Sequence, residues 1–139
     1  MAVAEWVPGF YWRPRMKEAP AITFLNGCPQ PVRDNLLATF TAILESPPPR
    51  FPTNSLLWRP MRKEMRGIYE IRDRHGDTLY RLFCVLDHSA KEHGCKKPTL
   101  VMLCGGRKPV RTAMDDDVYE EAAVFRDDYM SSTPRALKQ

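Results

Sequence analysis

Apolar side chains recur at helical spacing in the first half of the chain. From Val32 to Leu44 they stand three or four positions apart, as on one face of a helix. Pro31 suits a first helical turn, and the three prolines at 47–49 cannot continue a helix. The spacing therefore predicts a helix over residues 31–45.

Two further segments have helical character. Residues 115–130 combine an apolar stripe, which includes Ala122 and Phe125, with a run of aspartates that favours a helix N-terminus. A shorter apolar segment, Ala19 to Leu25, is followed by the turn-forming pair Asn26-Gly27. We predict a C-terminal helix over 115–130 and a short helix over 19–25.

Between the helices the pattern becomes typical of strands. Ile68 to Arg72 and Thr78 to Leu86 are β-prone runs on either side of a glycine-containing turn, which predicts a hairpin. Thr99 to Cys104 predicts a third strand, which Gly105-Gly106 should end. Phe10 to Arg13 fits a short edge strand.

Together these elements predict an α+β domain. It should have a small antiparallel sheet, N-terminal helices and a C-terminal helix. A length of 139 residues fits one domain over residues 1–139, with an N-terminal arm at 1–15 and a flexible tail at 131–139.

The hairpin is expected to sort its side chains onto two faces. A turn at His75-Gly76 would place Glu70 directly opposite Arg81, and alternation along the strands would put Arg72 on the same face as both. Glu70 would then hold Arg81 beside Arg72, and two fixed guanidiniums suit a phosphate. The alternative is an ordinary surface ion pair. The opposite face should cover the core with Tyr69, Ile71, Tyr80 and Leu82.

Charge is distributed unevenly along the chain. The net charge is +4, but residues 115–139 contain seven acidic and three basic side chains, so the first 114 residues are near +8. A basic body favours an anionic partner such as nucleic acid, although many basic proteins bind none.

The cysteines and the apolar runs indicate the compartment. The four cysteines form no C-x-x-C pair, which favours reduced thiols, and Cys84 and Cys104 lie in predicted strands as small core residues. No apolar run is long enough for a membrane span, and the N-terminus has no secretory pattern, so we expect a cytoplasmic protein without a membrane partner. His88, His93 and Cys95 match no standard zinc spacing and favour a solvated loop, so neither a metal nor a cofactor is expected.

A series of motifs from Trp58 to Arg126 resembles the RelE/HigB class of toxins, specifically the phage-derived HigB branch. The first motif is a basic residue before a glycine, followed by a strand that ends in Glu-x-Arg (Arg66 to Arg72). A second strand begins with Arg81, and a third leads into glycines and the basic pair Arg107-Lys108. A helix containing Ala122, Ala123 and Arg126 closes the series, so the motifs cover about half of the chain.

This resemblance implies a sheet with helices packed against one face and an activity that cleaves mRNA, usually on the ribosome. RNA carries its own nucleophile, the 2′-hydroxyl, so cations that align it and stabilise the developing charge suffice without a metal. The implied partners are mRNA, the ribosome and a cognate antitoxin, expected to be a small helix-turn-helix protein. The implied catalytic residues are Arg72, Arg81, Arg107 and Lys108, with Glu70 as a positioning group or a base, and the RNA-binding residues are Arg59, Arg62, Lys63, Arg66 and Arg111.

Two other functions fit the same scaffold. A ParE-like relative would act on DNA gyrase, and a phage-derived binding protein would keep the fold without catalysis. The family often carries an aromatic after the glycine and further lysines after the basic pair, whereas this chain has Gly106 and, after the pair, Pro109. The family also often carries a histidine at the position of Cys104. These departures favour the inactive alternative, whereas the Arg107-Lys108 pair favours the ribonuclease.

Overall fold

The computed structural model describes residues 6–46, 58–60, 65, 67–111 and 116–138. Its fold is α+β, as predicted, with three helices and one six-stranded sheet within these residues. In chain order the elements are β1 (Val7–Tyr11), α1 (Pro20–Asn26), α2 (Gln30–Glu45), β2 (Trp58–Pro60), β3 (Ile68–His75), β4 (Thr78–Asp87), β5 (Thr99–Pro109), α3 (Asp116–Ser131) and β6 (Leu137–Lys138). The three helices lie within one or two residues of their predicted bounds.

The strands follow the spatial order β2-β3-β4-β5-β1-β6. All neighbours are antiparallel except β1 and β5, which pair in parallel from Val7 opposite Thr99 to Phe10 opposite Met102. The predicted edge strand at Phe10–Arg13 is thus displaced towards the N-terminus. It also lies inside the sheet, because β6 pairs with its other side.

Helices cover both faces of the sheet. Helices α1 and α2 pack on one face, where Val32, Leu36 and Ile43 are fully buried. Helix α3 packs on the other face, with Ala122 and Tyr129 fully buried. The resemblance implies helices on one face only, and that expectation is wrong because β1, β3, β4 and β5 carry apolar residues on both faces. The first face carries the four hairpin residues predicted for the core, Tyr69, Ile71, Tyr80 and Leu82.

The hairpin turn lies one residue later than predicted. Gly76 and Asp77 form the turn, and His75 pairs with Thr78. Gly76 has φ +60°, a conformation that glycine adopts without steric cost, at the position where type II′ hairpin turns favour it. The pairing therefore shifts by two residues, so Arg81 lies opposite Arg72 and Glu70 lies opposite Phe83. Because the shift is an even number, every side chain keeps its predicted face.

Strand β5 continues five residues beyond its predicted end. It runs through Gly105-Gly106 to Pro109, so Arg107 and Lys108 lie within a strand and not after a turn. The pairing with β4 also has an irregularity: Phe83 pairs with Cys104 and Cys84 with Met102, which leaves Leu103 as an extra residue. Such a bulge reverses which face the following residues occupy.

The bare backbone at Gly105 allows α1 to approach β5 closely. A Cβ at Gly105 would overlap the ring of Phe24. We expect Gly105→Ala to lower the free energy of unfolding by about 1–3 kcal/mol, because an added methyl forces this contact apart. Gly27→Ala is the matched control, since a Cβ there makes only ordinary contacts and Gly27 has a helical φ of −87°. Urea denaturation measures both, and equal midpoints for the two variants would contradict the expectation.

The C-terminal segment is held by a buried ion pair. Arg135 donates from Nε to Asp87 Oδ2 at 3.0 Å, and both side chains are almost fully buried. Tyr129 donates its hydroxyl hydrogen to the same oxygen at 2.6 Å. Residues 137–138 then pair with β1 as strand β6. These contacts correct the expectation of a flexible tail for residues 132–138.

The remaining predictions concern cysteines, metals and membranes. All four cysteines are free, and Cys84 and Cys104 are buried in the core as predicted. His93 contacts the Thr133 hydroxyl through Nδ1, and the described residues contain no His, Cys, Asp and Glu cluster that could hold a metal. Within the same residues, no helix has the length and apolarity to cross a membrane.

Candidate functional site

Cross-strand pairing brings four cations onto the α3 side of the sheet. Arg72 lies opposite Arg81 on β4, and the next row on the same face pairs Arg74 with Leu79. On β5, Gly106 lies opposite Arg81 and Lys108 lies opposite Leu79. Because directly paired residues share a face, we call Arg72, Arg74, Arg81 and Lys108 the basic face.

Glu70 joins the two arginines of the central row. Its Oε1 lies 3.8 Å from Arg72 Nε, and its Oε2 lies 3.3 Å from Arg81 Nη1. Two like charges directly opposite each other destabilise a sheet, and a carboxylate between them offsets the repulsion. Glu70 is only 3% exposed, so this is not the ordinary surface pair of the alternative reading. The predicted contact between Glu70 and Arg81 is present, although it is diagonal and not directly across.

Helix α3 supplies a further contact to this cluster. Arg81 Nη1 donates to the Tyr119 hydroxyl at 2.6 Å, and the Tyr119 ring packs edge-on against Phe83. Arg81 is thus held between a carboxylate and a phenol. Its Nε and Glu70 Oε2 are nevertheless buried without a hydrogen-bond partner. Burial of these two atoms without a partner costs desolvation free energy, so this part of the cluster destabilises the folded state.

The two arginines differ in their access to solvent. The side chain of Arg72 is 22% exposed and that of Arg81 is 12% exposed. Lys108 is half-buried, and Arg74 is exposed and donates from Nε to the Gly76 carbonyl. Arg72, Arg74 and Lys108 can therefore meet a ligand at the surface, whereas Arg81 lies behind them.

Arg107 does not belong to this face. It pairs with Tyr80, which is buried in the core beneath α1 and α2, and it borders a small pocket with Phe24 and Cys28. The resemblance implies that Arg107 and Lys108 act at one site with Arg72 and Arg81. For Arg107 that expectation is wrong, because consecutive residues of a strand point to opposite faces.

The structure describes only two of the other predicted RNA-binding residues. Arg111 is exposed just beyond β5, and Arg59 occupies the position opposite Glu70 in the pairing of β2 with β3. Arg62, Lys63 and Arg66 lie outside the described residues.

Sequence reasoning missed two members of the site. Arg74 adjoins the predicted hairpin turn and Tyr119 lies in the predicted C-terminal helix, and neither is among the predicted site residues. The alternation Glu70, Arg72, Arg74 was the available signal for the first. For Tyr119 the sequence offers only a general signal, because a buried tyrosine usually directs its hydroxyl to a polar partner.

No protein-family model matches this chain, and no curated protein does either. Among solved structures, it is similar to one chain of the crystal structure of the toxin–antitoxin complex RelBE2 from Mycobacterium tuberculosis. The two share 19% identity with a TM-score of 0.46, over 75% of this chain and 99% of that chain. A likeness at this level assigns neither a family nor a function.

Proposed function

We propose that this protein is an endoribonuclease that cleaves mRNA on the ribosome as the toxin of a toxin–antitoxin pair. The observation that carries the proposal is the row Arg72–Arg81 with Glu70 beneath it and Lys108 on the same face. The order of the sequence motifs supports the same function. A cation cluster of this kind stabilises the charge that develops on a phosphate under attack.

The proposed reaction uses the 2′-hydroxyl of the RNA as its nucleophile. That oxygen forms a bond to the adjacent phosphorus, and the bond to the 5′-oxygen of the next nucleotide breaks, which leaves a 2′,3′-cyclic phosphate and a 5′-hydroxyl. The chemistry needs alignment and charge stabilisation, and so we propose that it requires no metal. Arg72 contacts the non-bridging oxygens, and Lys108 contacts the phosphate or protonates the leaving oxygen.

Arg81 and Glu70 act as positioning residues in this scheme. Both carboxylate oxygens of Glu70 face arginines, and the side chain is 5% exposed, so it is poorly placed to take a proton from a substrate. Arg81 is held by Glu70 and Tyr119 and adds positive potential behind Arg72. We therefore propose that Glu70 orients Arg72 and is not the general base.

The test is to add purified protein to a translating extract and to map the RNA ends. We expect new 5′-hydroxyl ends within translated mRNA, and none when translation is blocked before mRNA loading. Intact mRNA at protein concentrations equal to those of ribosomes would overturn the proposal. An antitoxin encoded by the adjacent gene, which we propose is a small helix-turn-helix protein that covers the basic face, should abolish the cleavage.

A binding protein without catalysis is the second candidate. It is favoured by the burial of Arg81 and by the position of Arg107 on the opposite face, which leave fewer accessible cations than expected. One version would act on DNA gyrase. A supercoiling assay distinguishes it, because gyrase inhibition with intact mRNA supports this candidate and normal supercoiling with cleaved mRNA excludes it.

A further inference from the structure

A pocket of about 220 Å³ lies on the face of the sheet opposite the basic face. Its lining comes from the end of α1 and from β5: Thr23, Phe24, Gly27, Cys28 and Arg107. The Phe24 ring packs on β5 at Gly105, and Arg107 is the next residue of β5 on the same face. The ring and Arg107 are therefore neighbours. The pocket therefore combines an aromatic wall with an exposed guanidinium.

The arginines at the pocket favour an anion, and the carbonyl oxygens that line it are already hydrogen-bonded. The carbonyls of Thr23 and Phe24 already accept from the Gly27 N–H, and Phe24 O also accepts from Cys28 Sγ. Burial raises the pKa of the Cys28 thiol, while Arg107 and Arg33 act on it in the opposite direction. Two arginines thus create positive potential at the pocket.

We propose that this pocket binds one nucleotide of a single-stranded RNA, with its phosphate on Arg107 and its base against Phe24. The fork of an arginine suits phosphate, and a base stacks on an aromatic ring without regard to sequence. The volume is below the ~300 Å³ of pockets that enclose a drug-sized ligand, so the bound nucleotide would lie partly in solvent.

The position on the strand connects the pocket to the basic face. Lys108 follows Arg107 directly and points to the other side of the sheet. An RNA strand that passes the end of β5 can therefore contact both residues. This inference rests on the proposed function in taking RNA as the ligand, and it adds a second contact remote from the reacting phosphate.

The test measures binding without cleavage. A fluorescent 2′-O-methyl octaribonucleotide has no free 2′-hydroxyl, and anisotropy at about 150 mM salt reports its affinity. We expect Arg107→Ala to weaken binding about 10-fold, which corresponds to the loss of one charge-assisted phosphate contact. The slope of log K against log salt should fall by ~0.7 for the lost phosphate contact.

Two matched variants separate a pocket from a general charge effect. Arg15→Ala removes the same charge from an exposed position outside the pocket, and it should change the affinity less than twofold. Gly27 lines the pocket and a Cβ there makes only ordinary contacts, so Gly27→Leu should occupy the pocket, leave every charge in place and weaken binding as Arg107→Ala does. Equal effects of Arg107→Ala and Arg15→Ala, or no effect of Gly27→Leu, would overturn the inference. Equally tight binding of a carboxylate-rich octapeptide would overturn it as well, by assigning the pocket to protein carboxylates.

The outcomes for the two sites are distinguishable. If Arg107→Ala binds normally while wild type cleaves mRNA, the pocket inference fails and the proposed function stands. If wild type binds the octamer through Arg107 but cleaves no mRNA, the pocket stands and the ribonuclease proposal fails.

Discussion

Replacing Asp87 by alanine is expected to lower the free energy of unfolding by about 3–5 kcal/mol, the typical cost of removing one partner from a buried ion pair. Asp87 Oδ2 accepts from Arg135 and Tyr129, and Oδ1 accepts from the Ser89 amide and hydroxyl. Burial, and then the hydrogen bond to Asp87, raise the pKa of Tyr129, which keeps its hydroxyl protonated as a donor. Without the carboxylate, the Arg135 guanidinium is left charged in the interior.

Urea denaturation measures this loss, and a double-mutant cycle identifies its cause. Arg135→Met should also be destabilising, because it leaves Asp87 buried without its counter-charge. The double variant Asp87→Ala/Arg135→Met should lose much less than the sum of the two single changes, since no buried charge remains. Strictly additive losses would show that the two residues act independently and would contradict the interpretation.

Replacing Arg72 by alanine is expected to reduce the rate of mRNA cleavage by about 10²–10³-fold. Arg72 has the more exposed side chain of the central row, and in the proposed mechanism it contacts the phosphate. Arg72→Lys should recover only part of the rate, because an ammonium keeps the charge but lacks the planar fork. The rate is measured by single-turnover cleavage of ribosome-bound mRNA.

The stability of the same variants provides the control. Glu70 keeps its closer partner Arg81 at 3.3 Å, and the loss of Arg72 removes a like charge opposite Arg81, so Arg72→Ala should change the unfolding free energy by no more than about 1 kcal/mol. Arg15→Ala should cleave at the wild-type rate. If Arg72→Ala retained activity within twofold, Arg72 would have no part in stabilising the transition state.

The periodic part of the fold was predictable from the sequence. The spacing of Val32, Leu36 and Ile43 places α2 within one residue, and alternation along β3 and β4 assigns Glu70, Arg72 and Arg81 to one face. A periodic pattern can assign the correct face of a strand even where the turn beside it is misplaced. The turn at Gly76-Asp77 moved the register by two residues, yet the face assignments held because a strand repeats every two residues.

The position of Arg107 could not be predicted in the same way. Gly105-Gly106 has turn chemistry, but pairing with β4 carries β5 through both glycines. The extra residue Leu103 then decides that Lys108, and not Arg107, joins the basic face. A bulge depends on the packing of both faces of the sheet, and this bulge has no signature in the local sequence. Tyr119 was missed for a similar reason, because only the folded chain brings α3 over Arg81.

The pairing of Asp87 with Arg135 also has a consequence for biosynthesis. The two residues are 48 positions apart, so at typical elongation speeds the aspartate is made roughly 2–10 s before its arginine. Before Arg135 is made, burial of the end of β4 would leave the Asp87 carboxylate in the interior without its counter-charge. A polypeptide released early, before residue 135, should therefore stay open to proteases, and only chains translated past this point acquire the native interior.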